Sequence, residues 1–175
     1  MVIWIYGLSG SGKTTLAKAL YAELLETKAH PRLILVDGDD LRHIFPTIGH
    51  GHKGRAIMGA IKAGLAALLA GQGCEIILTG VSWRESDAVV SPDYFDIFLD
   101  IPIEECRRRD QKGVYGPNAL WGGGVPNKNV LGVDLRYDPP CDPKLTISAT
   151  DQERGIQHCV DLVLAALNAQ KEWVA

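Results

Sequence analysis

The apolar run Val2-Ile3-Trp4-Ile5-Tyr6 leads directly into Gly7-Leu8-Ser9-Gly10-Ser11-Gly12-Lys13-Thr14, and a helical pattern begins immediately behind it. A strand, a glycine-rich turn and a helix opening on Lys-Thr match the Gly-x-x-x-x-Gly-Lys-Thr phosphate loop in the context that motif requires. Glycines let the backbone curl until consecutive N–H groups point at phosphate oxygens, and the helix start adds partial positive charge. Lys13 supplies a mobile cation for the β- and γ-phosphates, and the Thr14 hydroxyl is a hard oxygen ligand for Mg²⁺. ATP and Mg²⁺ are therefore the expected cofactors, held by Gly7, Ser9, Gly10, Ser11, Gly12, Lys13, Thr14 and Thr15.

Apolar runs of strand length alternate with longer helical stretches along the rest of the chain. The pattern predicts a strand over Val2–Tyr6 and a helix over Lys13–Leu25, with Leu16, Leu20 and Leu24 on one face. Leu33–Val36 reads as a second strand and Asp39–Phe45 as a short helix. A longer Ala- and Leu-rich helix covers about 53–70, stopped by Gly71 and Gly73. Glu75–Thr79 and Tyr94–Leu99 are the next strands, and Pro102 opens a helix through Arg109, a position proline favours. Leu145–Ser148 is the final strand. One helix over Asp151–Asn168 then closes the chain, turning Ile156, Val160, Val163, Leu164 and Leu167 inward. Strands apolar on both faces and separated by helices predict an α/β P-loop NTPase fold: about five parallel strands flanked by helices, in one domain over residues 1–175. Residues 111–143 break this rhythm with six Gly and five Pro and are too long for an ordinary connection. Charged residues punctuate the stretch (Lys112, Lys128, Asp134, Arg136, Asp138), and it reads as a lid over the sheet's C-terminal edge.

The second strand ends in Asp37-Gly38-Asp39-Asp40. Acids at that place can orient an acceptor hydroxyl or reach Mg²⁺ through water. Asp39 or Asp40 would also cap the next helix, but a cap accounts for one aspartate, not three. Arg42 lies one turn beyond Asp39 and Arg55 opens the long helix; beside a phosphate site the two make an anion-binding pair. Arg107-Arg108-Arg109 complements a helix C-terminus, with Arg109 free to reach a phosphoryl group or stack on the ATP base.

Together these residues resemble the adenylyl-sulfate kinase family. The likeness runs through Gly7–Thr15, Asp37-Gly38-Asp39-Asp40-Leu41-Arg42, Arg109-Asp110-Gln111-Lys112-Gly113-Val114-Tyr115, Asn127-Lys128-Asn129-Val130-Leu131-Gly132-Val133-Asp134 and Tyr137-Asp138-Pro139-Pro140. The resemblance implies transfer of the ATP γ-phosphate to the ribose 3′-hydroxyl of adenylyl sulfate. It makes Lys13, Asp37 and Asp39 catalytic, puts Arg109 in the ATP site, and assigns Thr14 and, through water, Asp37 to Mg²⁺. Asp39, Arg42, Arg55, Ser82, Lys128 and Val130 would form the acceptor site. The departures fall on that side. The family's Asp-Arg-x-x-Asn is Gly54-Arg55-Ala56-Ile57-Met58; its lid phenylalanine is Val130; its aromatic before Arg55 falls in Gly49-His50-Gly51-His52; and its Ser-Pro is Ser82-Trp83. Trp83 or Trp121 could replace the stacking surface. Loss of a stacking partner removes roughly 1–3 kcal/mol per base, enough to change the preferred base. A cytidine diphosphate derivative, such as the diphosphoramidate used in capsule modification, is therefore the second acceptor class.

A net charge of −3 offers no general basic field for nucleic acid or an anionic membrane, so the expected partners are small nucleotides, with a homodimer left open. The N-terminal apolar run is too short for a signal peptide or membrane span, and Cys74, Cys106, Cys141 and Cys159 match no zinc or redox spacing. A reduced, cytoplasmic enzyme with mostly buried cysteines is expected. A regulatory module that binds ATP without transferring phosphate is the rival from another class. An ATPase motor fits less well, because no strand offers a better hydrolytic acid than Asp100.

Overall fold

The computed structural model describes residues 1–81, 94–116, 120–121, 125–126 and 129–170. The strands are β1 (Val2–Tyr6), β2 (Leu33–Val36), β3 (Glu75–Gly80), β4 (Tyr94–Asp100), the short pair β5 (Leu120–Trp121) and β6 (Val125–Pro126), and β7 (Leu145–Ser148). The helices are α1 (Lys13–Glu26), α2 (Gly38–Ile44), α3 (His52–Gly71), α4 (Ile103–Arg109), α5 (Ala149–Glu153) and α6 (Ile156–Ala169). Five strands form a parallel sheet in the order β2-β3-β1-β4-β7, as the pattern predicts, each within a residue of its expected ends.

β1 is the hub. All five of its side chains are buried, because helices cover both faces of the sheet and a strand alternates its side chains between them. Ile3 and Ile5 pack with Leu16, Leu20, Ile97 and Val163 on the α1/α6 side. Val2, Trp4 and Tyr6 pack with Ala66, Leu78 and Phe98 on the α3 side. By length and composition α3 would suffice to cross a membrane; here it lies along the sheet, burying Met58, Gly59, Lys62 and Ala66. Because β3 and β4 flank β1 on opposite sides, the chain order reverses there, and open α/β sheets bind ligands at such a reversal.

Two expectations need correction. The closing helix is two helices. Ser148 and Asp151 form a capping box that starts α5 at Ala149, and Gly155, at φ +104°, then turns the chain before α6. Ile156 consequently does not face the core; it is 43% exposed and lines the cleft described below, whereas Val160, Val163 and Leu167 are buried as expected. The cysteines are also less uniformly buried than expected: all are free, Cys106 and Cys159 are buried, Cys74 is half-buried and Cys141 is exposed. Within 111–143 the irregular stretch contains the small antiparallel pair β5–β6.

Candidate active site

The phosphate loop joins β1 to α1 through two left-handed glycines. Gly12, at φ +95°, is the N-cap of α1, and Gly10, at φ +77°, passes so close to α4 that a Cβ would stand 2.7 Å from the Cys106 carbonyl oxygen. Neither conformation suits a residue with a side chain. Gly7 and Ser11 lie beneath the loop rather than on the cleft wall. The buried Ser11 hydroxyl has no hydrogen-bond partner among the described residues, and Ser11 O accepts from Gln152 Nε2 at 2.8 Å. Ser9, Gly10, Gly12, Lys13, Thr14 and Thr15 do line a cleft of about 850 Å³.

Lys13 folds over its own loop, Nζ donating to Leu8 O at 2.6 Å. Burial pushes its ammonium down to about 8, with Asp39 pulling the other way. A depressed lysine beside a ring of amide donors is a site prepared for a polyanion. Thr14 Oγ1 donates to Asp37 Oδ2 at 2.7 Å, while Asp37 Oδ1 accepts from the Asp39 amide at 2.9 Å. Asp37, not Asp39 or Asp40, is thus the N-cap of α2. Burial raises the Asp37 carboxyl pKa, but the hydrogen bonds from Asp39 N, Thr14 and Thr79 outweigh it and hold the group below the usual carboxylate range. A hydroxyl and an ionised carboxylate side by side suit Mg²⁺, which takes one or two protein oxygens and completes its shell with phosphates and water. Among the described residues no group of three His, Cys, Asp or Glu could cage a metal without such help.

The turn that follows α4 is tied to this loop. Asp110 accepts from the amides of Val114 (2.7 Å) and Tyr115 (2.8 Å), and that turn carries the Tyr115 hydroxyl to Ser9 O at 2.8 Å. Arg109 donates to Glu105 Oε1 at 2.6 Å and to Gln152 Oε1 at 2.5 Å, so its guanidinium is held beside Gly12 on the wall that also carries Ile156. Arg107 and Arg108 are exposed, leaving Arg109 alone of the three in the cleft.

Across the cleft lies a second group. Arg42 Nη1 donates to Ile48 O and Gly49 O, both at 3.1 Å, and Arg55 Nη2 donates to Asn129 O at 2.6 Å. Arg55 Nε is buried without a partner among the described residues, and burial plus Arg42 pulls the Arg55 pKa down to about 10. His50 is pushed to about 4, by burial first and then by the two arginines, so it is neutral at pH 7. Asp39 and Val130 border the same space. Val130 is buried at a turn closed by Asp134 Oδ2, which accepts from Val130 N at 3.0 Å.

The expected residues therefore line one cleft, apart from Gly7 and Ser11, which lie behind its wall, and Ser82 and Lys128, which with Asn127 and Trp83 lie outside the described residues. Several cleft residues escaped the sequence reading, Lys62, Lys112, Phe45 and Gln152 among them. Lys112 was noted only as a lid charge, yet its ammonium pairs with Asp39. Phe45, 36% exposed, gives the cleft an aromatic face ahead of the Gly49–His52 segment where one was expected. Gln152 links the loop to Arg109. Only the Arg-Asp-Gln-Lys segment carried a signal for any of them.

Comparison with known proteins agrees with this geometry. The family model described as adenylylsulphate kinase matches residues 1–148. An adenylyl-sulfate kinase of Pseudomonas aeruginosa is 34% identical over 159 residues, covering 87% of this chain and 78% of its own length. A cytidine diphosphoramidate kinase of Campylobacter jejuni is 38% identical over 173 residues, covering 95% of both chains. The Mycobacterium tuberculosis APS kinase CysC, solved in complex with AMPPNP and APS, superposes with a TM-score of 0.80 at 28% identity, covering 95% of this chain and 96% of that one. The chain belongs to the adenylylsulphate kinase family and is an ATP-using kinase that transfers a phosphoryl group to a hydroxyl acceptor.

Proposed function

We propose that the acceptor is a nucleotide carrying an anhydride-linked anionic tail, phosphorylated on its ribose 3′-hydroxyl, with adenylyl sulfate as the first acceptor. The observation that carries this reading is the pairing of Arg42 with Arg55 across the cleft from Lys13. Two guanidiniums lowered by burial, Arg55 further by Arg42 and with a buried Nε that has no partner among the described residues, are a site an anion would stabilise.

In the proposed reaction the acceptor 3′-oxygen attacks the γ-phosphorus, the bond from that phosphorus to the β,γ-bridging oxygen breaks, and ADP leaves. Asp39, which lines the cleft and pairs with Lys112, takes the proton of that hydroxyl. Lys13 and the loop amides take up the charge that builds on the β–γ oxygens. Mg²⁺, held through Thr14 and through water by Asp37, would neutralise phosphate charge. Arg109 and Ile156 form the wall for the ATP base.

A second acceptor class, a cytidine diphosphate derivative, is favoured by the apolar Met58 and Val130 on the acceptor side and by the likeness to the Campylobacter jejuni enzyme. Phe45 then provides the stacking face. Incubation with ATP·Mg²⁺ and either adenylyl sulfate or cytidine diphosphoramidate, scoring ADP release, separates the two. Turnover of adenylyl sulfate supports the first reading, and preference for the cytidine compound supports the second. ATP binding with turnover of neither would contradict both.

A further inference from the structure

Lys62 is a charged residue on the inner side of α3, 7% exposed, where an amphipathic helix normally places an apolar side chain. Arg55, Met58 and Lys62 stand at i, i+3 and i+7, so they form one stripe facing the cleft, and all three line it. Seven residues of helix put Lys62 about 10 Å deeper than Arg55. The room for its head is made by Gly80 at the end of β3. A Cβ at Gly80 would stand 2.5 Å from Lys62 Nζ and 3.3 Å from Trp4 Nε1. The ammonium also sits over the Trp4 ring, 5.4 Å from its centroid, a contact that holds it in place while leaving Lys62 on the cleft wall. Gly80 and Lys62 are thus a matched pair: the missing side chain of one admits the charge of the other.

We infer that Lys62 is a specificity-determining residue that binds the acceptor's anhydride-linked anionic tail, as a third cation behind Arg42 and Arg55. The chemistry it selects is a nucleotide with a second anionic group beyond its 5′-phosphate, whether sulfate or a phosphoryl derivative. This rests on the acceptor reading proposed above.

Steady-state kinetics of Lys62→Met and Gly80→Ala test it, using adenylyl sulfate, CDP and AMP as acceptors, with AMP lacking the second anionic group. For the tailed acceptor that the wild type prefers, either substitution should raise KM at least tenfold with kcat changed less than threefold. The KM for ATP and any turnover of AMP should not move. An unchanged KM for the tailed acceptor, or an equal loss with AMP, overturns the assignment. Melting temperature and ATP affinity show whether each variant is folded. If Lys62→Met is not folded, Gly80→Ala decides, because it keeps the lysine and displaces only its head. If the wild type phosphorylates no nucleotide, the acceptor reading fails by itself. Lys62 is then judged by calorimetric binding of pyrophosphate with the ATP site filled by AMPPNP and Mg²⁺. Binding at least tenfold weaker in the variants sustains the assignment, and equal binding overturns it.

Discussion

In the proposed reaction Lys13 and Asp39 divide the chemistry between donor and acceptor, and their substitutions should fail differently. Lys13→Ala should remove measurable turnover and weaken ATP binding, because it removes the ammonium that folds over the phosphate loop. Asp39→Asn should lower kcat by about 10²–10⁴ while ATP still binds, the size of effect expected for loss of a general base. Full activity in Asp39→Asn, measured by ADP release, would remove Asp39 from the mechanism. The depressed Lys13 also predicts a pH dependence. Its folded pKa, about 8, lies below its ordinary 10.5, so above pH 8 the empty site loses the ammonium that triphosphate needs. ATP binding should therefore be unaffected by this group below pH 8 and weaken by up to about tenfold per pH unit above it, with proton uptake visible by calorimetry in buffers of different ionisation enthalpy. Most of these residues were legible because short motifs place them. Lys112 and Phe45 were not, since each reaches the cleft only through the way its segment folds back, and spacing along the chain does not encode that.

At the scale of elements, strands were the most legible because burial on both faces demands apolar runs such as Val2–Tyr6 and Glu75–Gly80, whose Ile76, Ile77 and Leu78 are buried. The helix break near Gly155 was missed for a physical reason: the polar Asp151-Gln152-Glu153-Arg154 turn is compatible with one continuous helix, and it is the capping box at Ser148 and the positive φ at Gly155 that divide the backbone. That break matters to the site, since α5 is what sends Gln152 to Ser11 O and Arg109. Ser148→Ala should cost about 1 kcal/mol of stability, the usual value of an N-cap, read from urea unfolding. It should also raise the KM for ATP by loosening Gln152. Stability lost without any change in KM would mean that α5 does not position the loop. Within and beside the stretch expected to be a lid, Asp110 and Asp134 close turns against backbone amides.

At the scale of the whole molecule, the nucleotide is expected to be part of the fold's stability. The loop, α2, α4, α5 and the turn that follows α4 all meet at one phosphate site, so filling it should brace each of them. ATP·Mg²⁺ at a hundred times its dissociation constant should add about 2.7 kcal/mol, a rise of roughly 5–10 °C in melting temperature for a chain of this size. Lys13→Ala should lose most of that shift. In the parallel order β2-β3-β1-β4-β7 the phosphate loop follows β1 and the Asp37–Arg42 segment follows β2, and in-line transfer between these proposed donor and acceptor groups is the central claim. Its most direct test is phosphorus NMR of the product formed from ATP·Mg²⁺ and adenylyl sulfate or, if preferred, the cytidine diphosphate acceptor. The account predicts one new phosphomonoester on the ribose 3′-oxygen, with one ADP formed for each. ADP formed with free phosphate and an unmodified acceptor, or phosphate attached at any other atom, would contradict it.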